Sequence, residues 1–305
     1  MNNIKTAITL DEPELLSSSE WKMRKQVHEE KLSPILDPYL KRRSQQIKDP
    51  VLDFLFEYYK FRPSHLMRWS PGVGTHLKLD GSTAYSDLPE ISEIEINSDG
   101  SSAYLDTSLF PEKLQKSTRW IYELLTKTNT SKPFFGCMGM HEWAMVYKAG
   151  QVRHNQVPLR LPDEEIAEIV ESRPLLCTHF DAFRFFTDEA KPLNKNHLSR
   201  ESFQNNEQPG CIHTNMDIYK WAYKRYPWIS GDIIADAFLL AADARTIDMK
   251  ASPYDLSDRG LEPIRIETES GRKEYLNHQT AIWERGLPIR NRLIEEFEKL
   301  ISLTE

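Results

Sequence analysis

Apolar residues recur at helical spacing along most of the chain, and this pattern predicts a mostly helical fold. A first helical segment covers residues 19–61. Within its stretch DPVLDFLFEYYKF, Asp49 is a candidate N-cap and Pro50 is the first helical residue. A second and larger helical region covers residues 110–303 and carries most of the candidate chemistry.

This second region divides into several predicted helices. The stretch MGMHEWAMVYKAG predicts a short helix that ends at Gly150, and CIHTNMDIYKWAYKRY and SGDIIADAFLLAADARTID predict two longer ones. The C-terminal stretch is predicted to be helical with interruptions at Gly286 and Pro288. Residues 187–210 have no periodicity, so we expect either a lid over a functional site or a disordered segment.

The pattern changes to alternation around residues 75–106, which predicts a small β element. The stretches SEIEIN and SAYLD alternate on either side of Asp99 and Gly100, as is typical of a β-hairpin. The preceding SPGVG resembles the turn of helix-hairpin-helix DNA-binding proteins, but alternating residues follow it, so only a turn is predicted. Two further strands are predicted, in PLLCTH up to His179 and in EPIRIET. The expected fold class is mostly α (α+β with minor β), as a single compact domain.

The composition is that of a globular protein, since 39% of the 305 residues are hydrophobic and 28% are charged. The net charge of −7 disfavours a nucleic-acid partner, because surfaces that bind DNA are usually basic. No apolar run approaches the ~18 residues that cross a bilayer, so no membrane partner is expected. Two acidic residues precede any apolar stretch at the N-terminus, so no signal peptide is predicted and the expected location is the cytoplasm.

Side chains that bind metals are concentrated between residues 137 and 217. The three cysteines each precede a histidine by two or four residues, in the pairs Cys137/His141, Cys177/His179 and Cys211/His213. An odd number of cysteines without a C-x-x-C motif predicts neither a disulfide framework nor a zinc finger. Imidazole is a common ligand of Fe and Zn, and the candidate metal ligands are His141, His154, His179 and His213. Buried histidines and cysteines that only pack in the core are the open alternative.

The same region supplies candidate catalytic and substrate-binding side chains. His213 and Asp217 are four residues apart and therefore share one face of a helix. The candidate catalytic residues are His141, Glu142, Asp181, His213 and Asp217. Neighbouring aromatic rings could sandwich a nucleobase-like ligand, and arginines could pair with buried acids. The candidate substrate-binding residues are Trp143, Arg160, Arg184, Trp221 and Arg245.

Several long blocks of the chain resemble a bacterial protein family. These blocks are FLFEYYKFRP, PFFGCMGMHEWAMVY, RHNQVPLRL, THFDAFRFFT, EQPGCIHTNMDIYKWAYK, IDMKASPYDL and EPIRIET, and they are spread over nearly the full length. Members of that family are commonly labelled 3-methyladenine DNA glycosylases. The resemblance implies a monofunctional glycosylase with a base pocket, an activated water and DNA contacts, but without a metal.

Three functions follow from these observations and stay open at this stage. The first is an intracellular enzyme that acts on a small molecule in a pocket of His, Asp and aromatic side chains, as a hydrolase or oxygenase that uses Fe or Zn. The second is a DNA-repair glycosylase that removes an alkylated base with an Asp as general base. The third is a ligand-binding protein without catalytic activity.

Overall fold

The computed structural model describes residues 13–81, 83–150 and 156–304 of the chain. Its strands are β1 (Glu14–Leu16), β2 (Thr75–Lys78), β3 (Ile94–Ile96) and β4 (Ser102–Leu105). Its helices are α1 (Ser18–Ser44), α2 (Pro63–Leu66), α3 (Glu112–Thr130), α4 (Met140–Val146), α5 (Asp163–Glu171), α6 (Phe180–Phe183), α7 (Phe203–Asn206), α8 (Ile212–Tyr223), α9 (Gly231–Ala251) and α10 (Glu269–Thr304). A π-helical turn covers Phe54–Tyr58, and 3-10 turns cover Tyr85–Asp87, Thr107–Leu109, Lys191–Leu193 and Ser257–Arg259. The prediction of a mostly helical fold with minor β is confirmed.

Helices α8, α9 and α10 pack against one another at the centre of the molecule, and α1 and α3 pack around them. Helix α9 contains several alanines that are fully buried, among them Ala237, Ala241 and Ala244. Small side chains allow neighbouring helix axes to approach closely. This packing fixes the relative position of α8 and α9, which carry much of the candidate site.

The prediction of Asp49 as an N-cap with Pro50 as the first helical residue was wrong, because residues 50–52 form a turn and the N-cap of the following π-helical turn is Asp53. The Oδ1 atom of Asp49 accepts hydrogen bonds from the backbone N–H groups of Val51 and Leu52, at 3.1 and 3.0 Å. The chain then makes turns and the π-helical turn Phe54–Tyr58. Insertions of this kind are frequent at functional sites, and this one brings three aromatic rings towards the candidate site.

The predicted ends of two helices were wrong. Helix α4 ends at Val146 rather than at Gly150, and Lys148 adopts a positive φ of 50° just beyond it. Helix α10 continues through Gly286 and Pro288 without a break. Tertiary packing overrides local propensity here, because α10 lies against α3, α8 and α9 along its length.

The small sheet has the strand order β1-β2-β4-β3. The predicted hairpin is confirmed, since β3 and β4 pair antiparallel, and β1 adds to β2 as a parallel strand. The SPGVG stretch is confirmed as a turn, with positive φ at Gly72 and Gly74, and it leads directly into β2. The two other predicted strands were wrong: the segment before His179 makes only an isolated bridge from Leu175, and EPIRIET is not a strand.

Residues 187–210 pack against the helical core. Ala190, Asn194, Phe203 and Glu207 are buried in this segment. The prediction of a disordered segment was therefore wrong, because apolar and hydrogen-bonded side chains anchor the segment at several points. Across the three described ranges, no helix combines the length and apolar character that a membrane crossing requires.

Candidate active site

Four elements bring the candidate side chains together. Helix α4 supplies His141 and Glu142, the segment that enters α6 supplies His179 and Asp181, and α8 supplies His213 and Asp217. Helix α9 adds Arg245 and Asp248, three residues apart and therefore on one helical face. His213 and Asp217, four residues apart on α8, share a face for the same reason. Each of these two helices thus presents two polar side chains to the site.

The first group of side chains is a buried chain of ion pairs. The Nε2 atom of His141 lies 2.6 Å from Oδ1 of Asp248. Arg245 Nη1 donates to Oδ2 of Asp248 at 2.6 Å and to Oε1 of Glu142 at 2.7 Å. Burial alone would lower the pKa of His141, but the charges of Asp248 and Cys137 raise that pKa well above its usual value. Asp248 and Cys137 therefore both favour the protonated form of His141.

The second group is centred on Lys220. Its ammonium donates to Asp217 Oδ2 and, at 3.1 Å, to Asp181 Oδ2. The hydroxyl of Tyr59 donates to the other oxygen of Asp217 at 2.8 Å. Burial opposes the charged form of Lys220, but the two carboxylates raise its pKa above the usual value. One lysine thus offsets part of the negative charge of two carboxylates that face the same space.

Glu207 joins this group from the segment before α8. Its Oε1 lies 2.8 Å from His179 Nδ1, but the two atoms are not aligned for a hydrogen bond. The other carboxylate oxygen accepts a hydrogen bond from the Thr214 hydroxyl. The Nε2 atom of His179 lies 3.9 Å from Asp217 Oδ2. Against the effect of burial, Glu207 and then Asp217 raise the pKa of His179.

His213 connects the two groups. Its ring is 4.4 Å from that of His141, edge to face, and 5.4 Å from that of His179, nearly parallel. Burial, together with the positive charges of His141 and His179, lowers the pKa of His213 well below its usual value. The His213 ring therefore contacts both other imidazoles, and its surroundings favour its neutral form.

A small cavity opens among these side chains. The space open to the centre of a water molecule is about 20 Å³, enough for one water or one ion but not for an aromatic ring. Aromatic rings of Phe54, Tyr58, Tyr59 and Phe185 form part of the wall. The polar part of the wall consists of Glu142, His179, Asp181, His213, Asp217 and Arg245.

Among the residues that the structure describes, two sets of side chains have the ligand types that could hold a metal ion. They are His141, His213 and Asp248, and His179, Asp181 and Asp217, and within each set the ligand atoms lie within 4.8 Å of one another. All three members of the second set line the cavity, whereas only His213 of the first set does. His141 and Asp248 are also in direct contact, so both could bind one ion only after moving apart. The second set is therefore the better candidate.

The three cysteines also lie near this site. Cys137 Sγ is 3.4 Å from His141 Nδ1. A hydrogen bond from Cys177, and then the charge of His141, lower the pKa of Cys137 well below its usual value. The same interaction with Cys137 raises the pKa of Cys177, and burial raises that of Cys211. None of the three forms a disulfide.

The structure brings most of the predicted site residues together, but not all. All five candidate catalytic residues and Arg245 contact one another or line the cavity. Of the four candidate metal ligands, His141, His179 and His213 lie in this cluster, and His154 lies outside the described residues.

Four candidate substrate-binding residues do not line the cavity. Trp143 is fully buried and its indole N–H donates to the carbonyl of Ala251 at 2.9 Å. Arg160 makes a bidentate ion pair with Glu267, with both N···O distances 2.7 Å. Arg184 donates at 2.8 Å to the hydroxyl of Tyr58, a residue of the cavity wall, but does not itself line the cavity. Trp221 lies in a separate groove beside it.

The polar side chains of the site include four that were not among the predicted ones: Tyr59, Glu207, Lys220 and Asp248. Lys220 follows Asp217 by three residues on α8, so helical spacing alone could have placed it beside that acid. Asp248 follows Arg245 by three residues on α9, which gives the same signal. No local pattern marks Tyr59 or Glu207, because their partners are distant in the sequence or in another element.

Comparisons of the chain with protein-family models, with curated proteins and with solved structures found no match. Function is therefore inferred from the geometry and charges of the site.

Proposed function

We propose that this protein is an enzyme that hydrolyses a small polar substrate at the cavity bordered by His179, His213 and Asp217. The observation that carries the proposal is the convergence of buried imidazoles and carboxylates from four elements on a space of the size of one water. Buried charges are costly unless each is paired, and clusters of buried groups with shifted pKa values are typical of catalytic sites.

His213 is the proposed general base, because its ring borders the cavity and its Nε2 lies 3.8 Å from Asp248 Oδ2. In the proposed reaction, His213 takes a proton from a water while the water oxygen bonds to an electrophilic atom of the substrate. The bond to the leaving group then breaks, and the leaving group takes the proton from the His213 imidazolium. Arg245, which lines the same cavity, would stabilise negative charge that develops on the substrate.

A divalent Fe or Zn ion would be held by His179, Asp181 and Asp217, whose ligand types suit such ions. Bound there, the ion would lower the pKa of a coordinated water. Lys220 already supplies a positive charge to both of these carboxylates. Metal binding at this set would therefore require the Lys220 ammonium to move away.

The proposal is tested with a panel of chromogenic esters, phosphate esters and N-glycosides, each with and without added Zn or Fe. We expect the wild-type protein to hydrolyse at least one class. His213→Gln should lower the rate by about 10²-fold or more, the usual contribution of a general base. Its free energy of unfolding should change little, because no hydrogen bond joins the His213 side chain to another described group.

His28→Ala is the matched control, since His28 is a buried histidine with a purely structural environment. Its ring nitrogens lie 3.1 Å from the Gly231 carbonyl oxygen and 2.8 Å from that of Leu66. We expect this variant to lose about 1–3 kcal/mol of stability, because a buried carbonyl is left without its partner, and to keep the wild-type rate at temperatures where it is folded. A His213 variant that is destabilised like His28→Ala while the rate is unchanged would contradict the proposal.

The glycosylase remains a second candidate, favoured by the aromatic rings of Phe54, Tyr58 and Phe185 along the cavity wall. An extruded base is usually stacked between such rings, although the cavity must widen to admit one. Formation of abasic sites on methylated duplex DNA, with no turnover of the small-molecule panel, would support this candidate over the hydrolase. Saturable binding without turnover of either kind would support the third function, a ligand-binding protein.

A further inference from the structure

A groove with several basic side chains lies beside the candidate active site. It runs between α3 and α8, and it is bordered by Lys113, Lys116 and Trp120 on one side and by Lys224 and Arg225 on the other, with Arg200 at its rim. Asp181 lines both this basic groove and the cavity. A molecule bound in the basic groove would therefore extend to the edge of the candidate active site.

The basic groove carries positive charge that is not balanced by the protein. Lys113, Lys116, Arg200, Lys224 and Arg225 form no ion pair with any carboxylate in the three described ranges, whereas Arg184 and Lys220 of the same groove both pair with Asp181. The field of these unpaired cations would attract an anion.

Arg225 is the most informative of these cations because it is only 4% exposed. Its Nε and Nη2 atoms donate to the hydroxyls of Thr118 and Ser117, both at 2.7 Å. Its Nη1 donates to the backbone carbonyl of Lys224 at 3.0 Å. All three acceptors are neutral, and burial lowers the pKa of Arg225 to about 10. A buried guanidinium without a counter-ion is costly, and an anionic ligand in the groove would remove that cost.

The basic groove also has one exposed aromatic surface. Trp120 is 37% exposed, and its ring contacts those of Trp221 and Phe203 edge-on or tilted, at 5.7 and 5.9 Å. Trp221 itself is 8% exposed, and the ammonium groups of Lys220 and Lys224 lie 4.1 and 4.8 Å from its ring centroid. Trp120 thus leaves part of its indole ring open to a ligand next to a cluster of cations.

We propose that the basic groove binds a mononucleotide, with the phosphate against the unpaired cations and the base on Trp120. This inference rests on the proposed function and names its substrate class, because a ligand in the groove reaches Asp181 at the cavity. A single nucleotide fits better than a nucleic-acid strand for two reasons. A strand is usually bound by several aromatic rings in succession, and the chain as a whole has a net charge of −7.

The test is calorimetric titration of the full chain with AMP, GMP, CMP and UMP, and with adenosine, inorganic phosphate and an octathymidylate strand for comparison. We expect at least one mononucleotide to bind at least tenfold more tightly than adenosine, phosphate or the strand. Lys224→Gln, Arg200→Gln and Trp120→Leu should each weaken that binding by about tenfold, the size of one lost charged contact or one lost stacking contact. Lys41→Gln, which removes an exposed charge from α1, should leave binding unchanged.

Two results would overturn the inference. One is the absence of saturable mononucleotide binding, or binding that the groove variants do not alter. The other is tighter binding of the strand than of any mononucleotide, which would assign the groove to single-stranded nucleic acid. Calorimetry measures binding without turnover, so these results are separate from a failure of the hydrolase proposal, which is judged by the rate of the His213→Gln variant.

Discussion

At the scale of single residues, Lys220 has a central part in the charge balance of the candidate active site. Its side chain is 6% exposed and contacts Asp181 and Asp217 simultaneously. An ammonium and a divalent metal ion would compete for these two carboxylates, because both are attracted by the same negative charge. The chemistry of the site therefore depends on which cation is present.

Replacement of Lys220 should show whether a metal ion can take the place of its ammonium between Asp181 and Asp217. We expect Lys220→Met to bind Zn or Fe at least tenfold more tightly than the wild-type protein, because two adjacent carboxylates lose the ammonium that contacts both of them. The measurement is elemental analysis and metal titration of protein purified without a His tag. Lys224→Met removes a lysine four positions later that contacts neither carboxylate, and it should leave metal affinity unchanged. Equal metal affinity in all three proteins would argue against a metal at this set.

The contact between α8 and α10 shows how packing sets element geometry. Gly286 lies where α10 crosses Asn215 of α8, and a Cβ atom at that position would lie 2.3 Å from Asn215 Oδ1. Asn215 is fully buried; its amide donates to the carbonyls of Pro209 and Cys211, and its oxygen accepts from Arg290. The glycine thus permits a close helix crossing that holds the start of α8, next to His213.

Gly286→Ala should destabilise the protein, although alanine favours helices. In an exposed helix this change would stabilise by about 1 kcal/mol, but here the added methyl displaces Asn215 and its hydrogen bonds. We expect a net loss of about 1–3 kcal/mol in the free energy of unfolding, measured in urea. Glu284→Ala, two residues earlier on an exposed position of α10, should change it by less than about 0.5 kcal/mol. A Gly286→Ala protein as stable as the wild type would contradict the close crossing.

At the scale of the whole molecule, ionisable groups in the interior make stability depend on pH. Glu296 on α10 accepts a hydrogen bond from the backbone N–H of Ser230, the N-cap of α9, at 2.6 Å. Burial raises the pKa of Glu296 to about 7, despite the opposing effects of Ser230, Lys299 and Arg292. The folded protein therefore keeps a proton on Glu296 at pH values where the unfolded chain has released it.

The consequence is a loss of stability as the pH rises. Between about pH 4.5 and 7 the unfolded chain binds fewer protons at this position than the folded protein, so the free energy of unfolding falls with pH. We expect Glu296 to contribute about 2 kcal/mol to the free energy of unfolding at low pH. This is less than the whole pKa shift would give, because Glu296 keeps some contact with solvent. The measurement is the free energy of unfolding in urea from about pH 4.5 to 7.5, for the wild-type and the Glu296→Gln proteins. The difference between the two pH profiles gives the contribution of Glu296. Parallel stability profiles of the two proteins would show that Glu296 titrates normally.

The sequence by itself determined the local structure where side-chain pattern and turn residues agree. Alternation around Asp99 and Gly100 specified the hairpin, and helical spacing put His213 and Asp217 on one face of α8. It also specified the residue types of the candidate site, because His, Asp and Arg in apolar stretches must be buried with partners. These features depend on contacts between residues only a few positions apart.

Only the tertiary structure decided which of these residues meet. His141 and Asp248 are 107 residues apart, and Tyr59 and Asp217 are 158 apart, so no local pattern could pair them. The continuity of α10 through Gly286 and Pro288 likewise depends on its neighbours, and Trp143 and Arg160 proved to pack outside the cavity wall. Long-range packing determines burial, and burial determines the charge of each group. The cavity and its charge balance therefore exist only in the folded chain.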